Sequence, residues 1–243
     1  MTEIWAHRGA SAVAPENTLP AFERAIDAGA VGVEFDVQRT ADGHLVVIHD
    51  ETLARTTGAA GRVVDHTLDE LRALDASAGD AAFAGVRIPT LPEVLDLLRP
   101  SSLQVNIELK TNRERYPGIA LEALAAVRAA GMLGRTVFSS FHHPTLLPLI
   151  GEVPAEHVAV LLGDGLVDPV GYAVGMGAGA IHPGVHLLQD PGLVADAHDA
   201  GLTVRTWTVD EPDHVRAVVA LGVDALVAND PARAARAAIG SPA

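Results

Sequence analysis

Three carboxylates and two imidazoles stand where they can converge on one point. Glu34 and Asp36 are two residues apart in an apolar run, and Glu108 ends another. If the first run is a strand, both its acids point to one face, because side chains alternate along a strand. Two carboxylates so placed in an apolar interior repel each other unless one is protonated or a cation lies between them. Glu108 adds a third oxygen donor, and the chain has no cysteine, so the set suits a hard divalent ion, Mg2+ or Ca2+. His7 and His49 are the candidate acid and base, since two imidazoles titrating near neutrality can exchange donor and acceptor roles across one substrate. Arg8 offers a planar fork matched to phosphate. Lys110, the only lysine, offers a point charge near Glu108. With a cation, these two would hold non-bridging oxygens and stabilise developing charge. The plainer alternatives are solvated loop acids, arginine partners and structural histidines.

Other histidines read as less informative. His44 lies in a turn, and His66, His157, His186, His198 and His214 read as surface residues. His142 and His143 read as local or capping groups at a helix start. His182, Trp207 and Phe141 sit at strand ends and are either site walls or core.

The elements that must position these groups alternate. Apolar runs at 4–6, 31–37, 45–48, 105–109, 136–139, 158–162, 180–182, 202–207 and 225–228 read as strands. Helical spacing predicts helices over 17–28, with Asn17 or Thr18 as N-cap, over 119–130, from Pro144, over 191–200, over 211–221 and from Pro231. Strand–helix alternation along the whole chain predicts an α/β fold with a parallel sheet, and about eight units close it into a (β/α)8 TIM barrel. A doubly wound open sheet is the alternative, and no glycine-rich dinucleotide loop supports it. Residues 52–88 break the rhythm and read as a small insertion on the barrel's C-terminal face, without a core of its own. The expectation is one barrel domain over 1–243.

At 243 residues the chain can bury one large core, and no apolar run reaches the ~18 residues of a membrane span. A formal net charge of −14 argues against nucleic-acid or anionic-membrane partners, both of which need clustered cations. No stable membrane association is expected. The N-terminus lacks a basic region followed by an apolar stretch, and with the absence of cysteine this fits a cytoplasmic protein. The oligomeric state is not legible.

The same residues stand in a series of motifs. His7-Arg8-Gly9, Pro15-Glu16-Asn17-Thr18, Glu34-Phe35-Asp36-Val37, Thr40-Ala41-Asp42-Gly43 and His49-Asp50 come first. Arg87-Ile88-Pro89-Thr90-Leu91, Glu108-Leu109-Lys110, Ser139-Ser140-Phe141, Trp207-Thr208-Val209-Asp210 and the stretch from Gly222 to Pro231 follow. The ordered set resembles the glycerophosphodiester phosphodiesterase family over nearly the whole chain. The resemblance implies a barrel, a divalent metal, and hydrolysis of small glycerophosphodiester substrates to glycerol 3-phosphate and an alcohol. It implies Glu34, Asp36 and Glu108 as metal ligands and His7 and His49 as the acid–base pair. Arg8 and Lys110 would contact phosphate, and Trp207 the glycerol side. Ala41 and Asn229 are read as rim positions that touch none of these groups. Competing readings are a lysophospholipase D-like lipid phosphodiesterase, a non-catalytic glycerophosphodiester-binding protein, and a Schiff-base aldolase using Lys110. The first needs an apolar patch, and this chain is only 4% aromatic. The second is disfavoured by the intact histidine pair.

Overall fold

The computed structural model describes residues 1–190 and 192–240. Its strands are Glu3–His7 (β1), Gly32–Arg39 (β2), Leu45–Val47 (β3), Gln104–Leu109 (β4), Thr136–Ser140 (β5), Val158–Leu162 (β6), Ala180–Pro183 (β7), Thr203–Thr206 (β8) and Ala225–Ala228 (β9). Its helices are Leu19–Asp27 (α1), Ala54–Thr57 (α2), Leu68–Arg72 (α3), Leu91–Leu98 (α4), Ile119–Ala129 (α5), Pro169–Met176 (α6), Leu193–Asp199 (α7), Pro212–Ala220 (α8) and Pro231–Ala238 (α9). β1 pairs in parallel with β2 on one side and β9 on the other. β2 pairs with β4, and each later strand with the next, so eight parallel strands close into a barrel with helices outside.

Alternation along the strands explains both layers. Val33, Phe35 and Val37 of β2, and Val105, Ile107 and Leu109 of β4, belong to the main core and are fully buried. Phe35 meets Phe22 of α1 edge to face, with ring centroids 5.5 Å apart. Each such side chain contributes roughly 1.5–3 kcal/mol on burial. The intervening residues, Glu34, Asp36, Asn106 and Glu108, are left on the opposite face, toward the barrel interior. Packing of the helices on the sheet therefore forces these polar groups inward.

Several local expectations change. The run at 45–48 is not a barrel stave: β3 pairs antiparallel with β2, Val37 opposite Val47. The stretch from Pro144 forms a 3-10 helix, His143–Leu149, because Pro148 interrupts it. The seventh helix is Leu193–Asp199, while Pro191, its expected start, lies outside the described residues. Residues 52–88 carry α2, α3 and two 3-10 turns, and they do have a small core. Leu53, Val63, Leu71, Ala76 and Ile88 pack on Val46 and on Ile48, just beyond β3. Thr18 is the N-cap residue of α1, but its hydroxyl donates to Pro15 O (2.6 Å) and makes no capping bond. Asn17 turns inward instead. His157, expected at the surface, is buried, its Nδ1 2.7 Å from Thr136 O.

Candidate active site

The first strand ends in His7-Arg8-Gly9, and the turn explains the sequence. Gly9 has φ +80°, and a Cβ there would lie 2.6 Å from the backbone carbon of Ala21, so only glycine fits. Arg8 and Asn17 both have φ 57°, a left-handed conformation that non-glycine residues rarely hold. Their backbones are tied to each other, Asn17 N donating to Arg8 O at 2.9 Å. The Asn17 side chain donates to Asp36 Oδ2 at 2.9 Å. This residue, read from sequence as a helix cap, instead orients an acid of the cluster.

Glu34, Asp36 and Glu108 come together as expected, each buried. One oxygen from each lies within 4.8 Å of the others. Like charges 4 Å apart cost roughly 4 kcal/mol at an effective dielectric of about 20, so the cluster needs positive charge. The protein supplies part of it. Lys110 Nζ is 2.8 Å from Glu108 Oε1 and 3.7 Å from Asp36 Oδ1, and Arg8 Nε is 3.3 Å from Asp36 Oδ2. Burial opposes ionisation of Asp36, but Lys110 and Arg8 outweigh it and hold this carboxyl below its usual range. Burial raises Glu34 strongly, reinforced by Asp36 and Glu108. Burial also raises Glu108, against the pull of Lys110. Asp36 Oδ1 remains buried without a hydrogen-bond partner. Three convergent carboxyl groups, one held ionised and two raised, with an unmatched Asp36 oxygen, fit a hard divalent cation.

The two imidazoles are fixed by different partners in the same sense. His49 Nδ1 lies 2.6 Å from Asp50 Oδ1, an acceptor, so Nδ1 carries the proton. Asp50 is gripped by Arg55 through Nε (2.7 Å) and Nη2 (2.9 Å), and that bonding holds its carboxyl well below the usual range. Arg55 also reaches Glu16, which pairs with Arg8 at 2.8 Å. His7 Nδ1 lies 2.7 Å from Asn229 Oδ1. Asn229 Nδ2 must donate to Asp210 Oδ2 (2.5 Å), which leaves Oδ1 as acceptor and puts the His7 proton on Nδ1. His7 Nε2 faces Glu34, 3.8 Å away. Burial, then Arg8, lowers the His7 pKa to about 4, so the ring is neutral with Nε2 free. Asn229 is therefore no rim residue: it sets the tautomer of His7.

A cavity of about 100 Å³ opens between these groups, reached by His7, Arg8, Glu34, His49 and Glu108. Trp207 walls it, with its indole N–H on His182 O (2.9 Å) and Phe141 edge to face at 5.4 Å. His182 also lines it and is neutral, burial and then Arg205 pushing its pKa well down. His142 and His143 instead bond locally, to Thr145 and to Tyr172 and Leu161 O. Sequence reading passed over Arg205 and Asn106, which also line the cavity. Their inward strand positions were the available signal.

The comparisons agree with this geometry. The model of the glycerophosphoryl diester phosphodiesterase family matches residues 7–233. A glycerophosphodiester phosphodiesterase of Caldanaerobacter subterraneus is 42% identical over 231 residues, 95% of each chain. One from Bacillus altitudinis is 39% identical, over 97% of this chain and 98% of its own. Among solved structures, an Oleispira antarctica phosphodiesterase in complex with the product sn-glycerol-3-phosphate superposes with a TM-score of 0.86. It is 27% identical, and the match covers 98% of this chain and 96% of that one. With a family match over almost its full length and a closed parallel barrel carrying the acids and imidazoles at one cavity, the chain belongs to the glycerophosphoryl diester phosphodiesterase family of hydrolases.

Proposed function

We propose that the chain hydrolyses glycerophosphodiesters to glycerol 3-phosphate and an alcohol, using His7 and His49 as the acid–base pair and Glu34, Asp36 and Glu108 to hold a Mg2+ or Ca2+ ion. The observation that carries this is the common orientation of two imidazoles, each with Nδ1 committed and Nε2 free, beside three buried acids. When bound, the ion supplies Lewis-acid stabilisation of charge on phosphate oxygens.

The chain's own groups account for the rest. Arg8 and Lys110 offer positive charge to the phosphate from within the cluster, and Trp207 offers a flat wall to the glycerol carbons. The neighbouring glycerol hydroxyl attacks phosphorus as one imidazole Nε2 takes its proton. The other imidazole, protonated, gives its proton to the departing alcohol as the P–O bond breaks. Water then opens the cyclic phosphate with the roles exchanged. The aromatic pair Trp207 and Phe141 keeps water from its own side of the cavity.

A panel of glycerophosphodiesters assayed in EDTA and after adding back each metal tests the reading. Turnover should vanish in EDTA and return with Mg2+ or Ca2+. Full turnover in exhaustive EDTA would remove the ion, and no turnover of any diester with any metal would remove the activity.

A further inference from the structure

Arg205 has the same inward strand phase as Trp207, two residues away, and its environment is unlike that of the other cavity arginine. Arg8 is paired with Asp36 and Glu16. Arg205, among the described residues, is in no ion pair; Glu3 and Asp224 act on it only from a distance. Its guanidinium lies over the ring of buried Trp5, 5.0 Å from the centroid, and Trp5 is itself held by an N–H bond to Glu3 (2.8 Å). Nη1 is 3.4 Å from His182 Nε2, and Nε is buried with no acceptor. Asn106 Oδ1 is also buried with no donor. Arg205, His182 and Asn106 all line the cavity that holds the acids and imidazoles.

A donor and an acceptor without partners thus belong to two residues that line one cavity. An apolar group entering there would leave each unpaired, at about 1–3 kcal/mol apiece. A hydroxyl can donate and accept at once.

We propose that Arg205 is a specificity-determining residue: with Asn106 and His182 it binds the terminal, non-attacking hydroxyl of the glycerol unit, and so selects deacylated glycerophosphodiesters over those acylated at that position. This rests on the function proposed above, since it takes glycerol as the group in the cavity. His182, neutral, offers a lone pair to that hydroxyl or to Arg205, and Arg205 is held in place by the Trp5 face rather than by a carboxylate.

Binding to the metal-loaded protein tests this without turnover. Calorimetry would compare sn-glycerol 3-phosphate with its 1-deoxy analogue, which lacks only the terminal hydroxyl, for the wild type, Arg205→Met and Arg205→Lys. The wild type should prefer sn-glycerol 3-phosphate by about 10–100-fold, the range for a bond to a charged group. Arg205→Met should collapse that ratio toward one by weakening only the hydroxylated ligand, and Arg205→Lys should keep part of it. A wild type that does not distinguish the ligands, or a methionine variant that weakens both equally, overturns the proposal. So does a variant that loses inorganic phosphate binding while keeping the hydroxyl preference, which would make Arg205 an anion site. Turnover of glycerophosphocholine is scored separately: intact ligand discrimination without turnover would sink the hydrolytic function and still establish the hydroxyl subsite.

Discussion

His7 can act as a base only while its single proton sits on Nδ1, and that placement is decided one residue further out. Asp210 takes both the backbone N–H and the side-chain Nδ2 of Asn229, at 2.7 and 2.5 Å. The remaining Asn229 oxygen receives Ser11 Oγ (2.9 Å) as well as His7. Without that oxygen, the neutral ring would turn its proton toward Glu34 and lose its free lone pair. Asn229→Leu should therefore lower kcat by about 10–100-fold, the usual loss when a partner that orients a ligand or base is removed, with KM little changed. Nitrogen-15 shifts of the imidazole should move from the Nδ1-H to the Nε2-H pattern. A kcat fall with the tautomer unchanged would mean Asn229 acts only on folding. The type of each acid and histidine was readable in the sequence because strand alternation places it. The Asn229–His7 bond was not, because nothing in a one-dimensional pattern links positions 222 residues apart.

At the scale of elements, the segment between β3 and α4 reaches back over the site. Arg55 on α2 joins Asp50, which orients His49, to Glu16, which pairs with Arg8. Its side chain is 47% exposed, so these ion pairs add little to global stability. Their effect is positional. Arg55→Met should leave the melting temperature nearly unchanged yet reduce kcat about tenfold by freeing Asp50 and with it His49. Equal kcat in parent and variant would take Arg55 out of the positioning network. The same region shows where pattern reading stops. Val33, Phe35 and Val37 alternating with Glu34 and Asp36 gave β2 both its phase and its inward acids. The run at 45–48 looks just as strand-like, but its composition does not encode its partner, and it folded back antiparallel on β2. The insertion's small core was hidden for a similar reason, since Leu53, Val63, Leu71 and Ile88 are scattered along an irregular path.

For the whole molecule, a formal net charge of −14 surrounds a site in which two of the three acids, Glu34 and Glu108, resist ionisation. Burial and mutual repulsion raise Glu34 and Glu108 above the ordinary carboxylate range. A group raised in this way keeps its proton as pH climbs past the normal glutamate value, and a cation must displace it. Metal binding near pH 6 should therefore release protons, and affinity should rise with pH. Titration calorimetry in buffers of different ionisation enthalpy measures this, and an enthalpy independent of buffer would contradict it. Among the described residues no helix is long and apolar enough to cross a membrane. The barrel closes where β1 meets β9, the first strand against the last. During translation the N-terminal imidazole therefore emerges long before Asp210 and Asn229 exist, and a nascent chain cannot carry a competent base until its final strand has docked. Release of fully active enzyme would then report completed closure, and chains cut short before residue 229 should be impaired at least as much as Asn229→Leu even where the rest of the barrel has collapsed.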